Sequence, residues 1–259
     1  MSIFSPEVFV KQWVAAVQEY SILAGRAIGD IFTRPRYWAD IFTQMDSIGA
    51  GSMPIIILSG FFTGCVLALQ SVTALQEFGA VSMTGQLVSL SMVKELGPVL
   101  TGLMVSGRNA AGMASELGSM KVTEQIDAMR ALGTDPVRKL VTPRLVATIF
   151  MLFFLTIIAD AAGIAGGALV AVNMLGLNAS SYLHNTYTSL HYGDVVQGLT
   201  KPIFSGFIIA TVGCFFGMRT SGGTQGVGRA TTQAVVVSSV FIIVVDFIVT
   251  RLMIGIFGS

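Results

Sequence analysis

The sequence predicts an all-α integral membrane protein: an N-terminal amphipathic helix at the membrane interface, then five transmembrane helices, with an amphipathic cytoplasmic helix between the second and third. Three observations carry this. Charged residues make up 11% of the 259 and hydrophobic residues 53%, whereas soluble domains carry roughly a quarter charged. Several apolar runs approach the ~20 residues that cross a bilayer. Lys and Arg alternate between successive connections, the pattern that orients membrane helices.

Residues 1–33 come first. Phe9, Trp13 and Val17 recur at helical spacing with Val10 and Val14 beside them, while Lys11, Gln12, Gln18 and Glu19 take the other side. That is the pattern of a helix lying on a membrane, with Trp13 and Tyr20 suited to the headgroup zone; a helix packed on protein is the alternative. Arg34-Pro35-Arg36 predicts a break, and Tyr37 and Trp38 a second interfacial anchor. Residues 1–48 therefore read as interfacial and elbow helices, and 49–259 as the membrane domain.

Five apolar spans follow, at about 53–72, 87–106, 145–172, 203–218 and 234–257. The third is long enough to tilt. Lys11, Arg26, Arg34 and Arg36 precede the first span; Lys121, Arg130, Arg138, Lys139 and Arg144 follow the second; Arg219 and Arg229 follow the fourth. The connections 71–86 and 173–200 carry no Lys or Arg. Basic segments stay cytoplasmic, so the N-terminus is cytoplasmic and the C-terminus outside. Arg251 runs against the trend and is read as snorkelling. Gly60/Gly64, Gly163/Gly167 and Gly213/Gly217 form GxxxG pairs, the spacing that lets membrane helices approach closely.

Other classes are excluded. A net charge of +1 gives no bulk attraction to nucleic acid. Cys65 and Cys214 lie in apolar runs and read as packing residues. His184 and His191 stand on an outer connection without the carboxylate or cysteine company of a metal centre, so no metal site is expected. The N-terminus lacks the basic start, short apolar core and cleavage site of a secretory signal. The glycine-rich run 221–229 lacks the Lys-Ser/Thr of a phosphate loop. It reads as a flexible cytoplasmic connection, with Thr231 or Thr232 starting the next helix. No nucleophile–base pair stands out, so no catalytic residue and no enzyme is expected.

Two constellations remain. Val122, Ile126, Met129 and Leu132 form an apolar stripe, with Lys121, Glu124, Asp127 and Arg130 around it; Gly133 reads as its C-cap, and Asp135-Pro136 as the start of a new turn. Glu116 and Gln125 belong to the same surface. So short a helix is marginal alone and must dock, either in a groove of a cytoplasmic partner or on its own protein. The second constellation is Lys94-Glu95 inside the second span, with Lys201 at the start of the fourth. Ionisable groups at membrane depth are costly unless paired or hydrated. Lys and Glu at the mouth of an apolar cavity suit a lipid, headgroup at the charges and chains below; Leu75, Phe78 and Asp246 are candidates with them. Asp160 reads as structural, accepting hydrogen bonds from its neighbours.

Glu95-Leu96-Gly97-Pro98, Gly107-Arg108, Glu116-Leu117-Gly118, the run from Met120 to Ala128, Asp135-Pro136 through Pro143-Arg144, and the run from Gly226 to Val236 together resemble the MlaE permease family. That family is the membrane subunit of MCE-type lipid ABC transporters. The resemblance spans about Gly49 to the C-terminus. It implies a homodimer in a bacterial inner membrane, with two copies of a cytoplasmic ATPase docked at the stretch 116–130, which would be a coupling helix. A STAS-domain protein would bind the ATPase, and a ring of MCE-domain subunits would sit outside. The substrate would be glycerophospholipid, moved in maintenance of outer-membrane lipid asymmetry. ATP and Mg would be used by the partner; this chain would bind no cofactor. Lys94 stands where the family more often has Arg, keeping the charge and losing bidentate phosphate geometry. An ion-coupled secondary transporter using Glu95, Asp160 and Asp246 is the alternative, although no inverted repeat is visible.

Overall fold

A computed structural model describes residues 6–33 and 37–257. No strand occurs among them. The predicted break at Arg34-Pro35-Arg36 lies outside the described residues, as do the side chains of Phe9, Val10 and Gln12.

Helix α1 (Pro6–Ile31) leads to α2 (Trp38–Gln76), then a 3₁₀ turn at Val81–Met83 and α3 (Thr84–Ser91). A wide π-turn, Met92–Leu96, joins α3 to α4 (Gly97–Val105), and a second, Ser106–Ala110, joins α4 to α5 (Ala111–Val122). Then come α6 (Gln125–Ala131), a third π-turn at Val137–Val141, α7 (Thr142–Asn173), α8 (Ala179–Ser189), α9 (Tyr192–Met218) and α10 (Gly223–Phe257). Among the described residues five stretches are long and apolar enough to cross a membrane: Trp38–Gln76, Val81–Val122, Val137–Asn173, Tyr192–Met218 and Gly223–Ile256. Each expected span lies inside one of them, the fifth to within its last residue.

The observed helices outrun the apolar runs because polar residues cap and extend them. Asp194 and His191 form a reciprocal cap that starts α9 eleven residues before the expected 203. The glycine-rich run corrects the reading of a flexible connection. Gly222 and Gly223, both at positive φ, complete the turn, and α10 is already under way at Gly223.

The second span shows a rule in its burial. Buried pairs recur every four residues from Thr84-Gly85 to Leu117-Gly118, with one step of five between Met92-Val93 and Gly97-Pro98. The first π-turn absorbs that extra residue. Its cause is Pro98, which has no N–H to offer the carbonyl four residues back, at Lys94, and whose ring crowds that carbonyl. The third π-turn stands in the same relation to Pro143, whose counterpart carbonyl is Lys139.

The GxxxG pairs lie inside the protein, at contacts between its own helices. A Cβ on Gly60 would lie 2.7 Å from the Ala159 carbonyl oxygen, and one on Gly64 would overlap that of Gly163, so α2 and α7 meet backbone to backbone. Gly213 and Gly217 seat α9 against Ala110, Ala114 and Leu117. In α1, Trp13, Val14 and Val17 are exposed, whereas Tyr20, Leu23, Ala24 and Ala27 face the protein. The Tyr20 hydroxyl meets Thr211 at 2.9 Å, and Arg219–Glu19 (3.3 Å) and Arg138–Asp30 (2.9 Å) fasten both halves of the helix. The interfacial stripe and the protein-packed face are thus two sides of one helix.

The stretch after the second span corrects the single amphipathic helix expected through 120–130. It is an elbow, α5 ending at Val122 and α6 starting at Gln125. Glu124 sits between them at φ 59°, the left-handed conformation that ends a helix. Glu124→Gly is expected to raise stability by up to about 1 kcal/mol, since a side chain in that conformation is strained; a lowered Tm in detergent would show that the Glu124 side chain makes an offsetting contact.

Candidate functional site

The polar centre is assembled from three segments. The π-turn supplies Lys94 and Glu95, α9 supplies Asp194 and Lys201, and α10 supplies Asp246 and Thr250. Asp194 and Lys201 lie seven residues apart, two turns along one face of α9. Adjacent Lys94 and Glu95 diverge, so each reaches a different member of that face. Lys94 Nζ pairs with Asp194 at 2.8 Å. Lys201 Nζ donates to Glu95, lies 3.2 Å from Asp246, and donates to the Lys94 carbonyl at 2.8 Å. That carbonyl lies four residues before Pro98, which has no N–H to donate to it. The Thr250 hydroxyl donates to the other Glu95 oxygen at 3.3 Å. Lys201 is 2% exposed and the Glu95 side chain 41%.

Four of the sequence-predicted lipid residues are therefore brought together: Lys94, Glu95, Lys201 and Asp246. Leu75 and Phe78 are not. Leu75 is half-buried near the end of α2, Phe78 is exposed in the turn after it, and neither enters the contacts of the cluster. Asp194 escapes sequence reasoning; the lone intramembrane Lys94 is the signal that a carboxylate has to meet it. Asp160 does not find the hydrogen bonds expected. It is buried against Gly97, and its Oδ1 has no partner among the described residues.

At the far end of the second span, the elbow holds itself together. Lys121 donates to Asp127 at 2.7 Å and Arg130 at 3.2 Å. The Lys121 hydrogen bond holds the Asp127 carboxyl below the usual carboxylate range. Ile126 is fully buried among Ala27, Ile48, Met113 and Leu117, and Met129 packs on the same core. Val122 is half-buried. Of the two settings open to the stripe, Ile126 takes the one on its own protein: the elbow turns it onto the core. Glu124, Gln125 and Arg130 remain exposed, and Leu132 is 84% exposed. Glu116, also exposed, is held at 2.8 Å by Arg144, a buried residue of α7 that also donates to the Leu140 carbonyl.

The model of the family described as Permease MlaE matches residues 41–252. The chain belongs to the MlaE permease family. A probable ABC transporter permease of Rickettsia bellii is 44% identical over 237 residues, covering 92% of each chain. The intermembrane phospholipid transport system permease protein MlaE of Haemophilus influenzae is 35% identical over 235 residues, covering 90% of each. A chloroplast protein of Arabidopsis thaliana, TRIGALACTOSYLDIACYLGLYCEROL 1, is 34% identical over 229 residues, 88% of this chain and 65% of its own. The MlaE-family match covers both constellations, the charged cluster and the elbow. It makes the chain a multi-pass membrane permease related to ABC transporter permeases.

Proposed function

We propose that the chain is the permease subunit of an ABC transporter that moves glycerophospholipids between a bacterial inner membrane and an MCE-protein ring, in maintenance of outer-membrane lipid asymmetry. One observation supports it most: a single continuous span, Val81–Val122, carries Lys94 and Glu95 of the charged cluster in its first half and runs into the elbow at its other end. Lipid engages the cluster; a separate ATPase, carrying ATP and Mg, engages the elbow. Glu124, Gln125, Arg130 and Leu132 form the contact rim, while Lys121 and Asp127 shape it and Val122, Ile126 and Met129 anchor it. Glu116 links the rim to α7 through Arg144. The chain contributes no catalytic group of its own, and neither cofactor nor metal. Two copies pair, two ATPases dock, a STAS-domain protein binds the ATPase, and the MCE ring sits on the periplasmic face. The N-terminus is cytoplasmic and the C-terminus periplasmic.

The Leu132→Asp and Arg130→Glu variants test this. Both side chains are exposed, so the fold is expected to persist. Removing an apolar or a charged side chain from such a rim is expected to lower co-purified ATPase about tenfold; undiminished ATPase binding by both variants would overturn the docking assignment. The unpartnered Asp160 favours a second reading, an ion-coupled transporter. Lipid movement that follows a proton gradient without ATP would establish that reading and remove the first.

A further inference from the structure

We infer that the charged cluster selects lipids whose headgroup carries an ammonium, and that Glu95 receives it. This rests on the lipid-permease reading. Lys201 meets two carboxylates, Glu95 and Asp246, and Lys94 meets one, Asp194; the Lys94 carbonyl joins the two groups. The cluster thus holds one more negative charge than positive.

Each lysine already faces at least one carboxylate. Lys94 is engaged by Asp194 at 2.8 Å. The buried Lys201 donates to Glu95 and to the Lys94 carbonyl at 2.8 Å, and its charge also faces Asp246 at 3.2 Å. The carbonyl among these acceptors lies four residues before Pro98, which has no N–H to offer it.

The carboxylate side has capacity in reserve. A carboxylate offers about four lone-pair positions, and the Glu95 contacts take two, from Lys201 and from Thr250 at 3.3 Å. Glu95 is also the most exposed member of the Lys201 group. Phe247 and Ile248, between Asp246 and Thr250 in the sequence, are exposed apolar residues of α10. Arg251, next after Thr250, is exposed and enters none of these contacts, and His191 lies 3.7 Å from Asp194, the partner of Lys94. What stays exposed is an acceptor with surplus negative charge. An ethanolamine headgroup offers an ammonium to this acceptor and adds no net charge, whereas a glycerol headgroup offers only its phosphate and adds a net negative one.

The test uses the purified full-length chain in detergent, equilibrated with equal amounts of phosphatidylethanolamine and phosphatidylglycerol of identical acyl chains, with bound lipid counted by native mass spectrometry. An ion pair at a group this exposed is worth a factor of about five, so the ethanolamine lipid is expected in about that excess. Glu95→Gln is expected to bring the ratio to about one while lipid stays bound, and Glu95→Asp to keep the preference. Equal binding or a glycerol-headgroup excess in the wild type overturns the proposal, as does a preference that survives Glu95→Gln. Should Glu95→Gln fail to accumulate, the wild-type ratio decides alone. Lipid bound without preference removes this proposal and leaves the permease reading standing; no bound lipid at all removes both.

Discussion

Replacing Lys201 with methionine is expected to destabilise the protein by about 3 kcal/mol, the loss found when one partner of a buried ion pair is removed. Methionine fills much of the same volume but leaves Glu95 and Asp246 facing each other and the Lys94 carbonyl without a donor. Thermal unfolding in detergent would show a clearly lowered Tm. Adding Asp246→Asn to Lys201→Met is expected to recover part of the loss, because one of the two uncompensated charges is gone. Two independent losses that simply add would show that Lys201 and Asp246 are not coupled. Lys201→Arg is not a neutral control, since a planar guanidinium does not fit three convergent acceptors placed for an ammonium.

Gly64→Val is expected to be about as severe, at roughly 3 kcal/mol or more. The new Cβ would overlap the Gly163 carbonyl oxygen, a backbone atom that cannot rotate away, so α2 and α7 must part. Gly25→Ala provides the contrast: no atom lies within 4 Å of the added Cβ, and removing a glycine from the interior of a helix stabilises it by up to about 1 kcal/mol. Comparing the yield and Tm of the two variants separates close approach from helix propensity. Equal Tm values for Gly64→Val and wild type would show that the α2–α7 seam yields by sliding.

Much of this architecture can be read from hydropathy and charge, because a bilayer tolerates few alternatives: apolar runs must be helices and basic connections must alternate. The residues that escape are those whose partners lie far away in sequence. Lys94 and Asp194 are a hundred residues apart, and no local pattern joins them. Lys201 and Asp246 carry the signal of intramembrane charge, which is why they stand out. The elbow is hidden for a different reason. The stripe from Val122 to Leu132 has a helical period, but it carries no sign that Glu124 adopts φ 59° and turns Ile126 into the core. In the glycine-rich run, composition suggests mobility, whereas two glycines suffice for the turn and the remainder fits a helix. Pro98 is visible throughout; its effect on the carbonyl four residues earlier requires only the geometry of the proline ring.

The single step of five in the buried stripe of the second span has a consequence for how this helix can vary. Each residue advances an α-helix by about 100°, so the segments on either side of the Met92–Leu96 turn are held at a fixed angular offset by one supernumerary residue. Side chains there can be exchanged without disturbing that offset. Removing one residue between 92 and 96 would rotate everything upstream against everything downstream, turning Val88 and Thr101, both buried now, away from a common seam. The turn behaves as a splice between two helices cut to different phases: permissive toward substitution and closed to insertion or deletion.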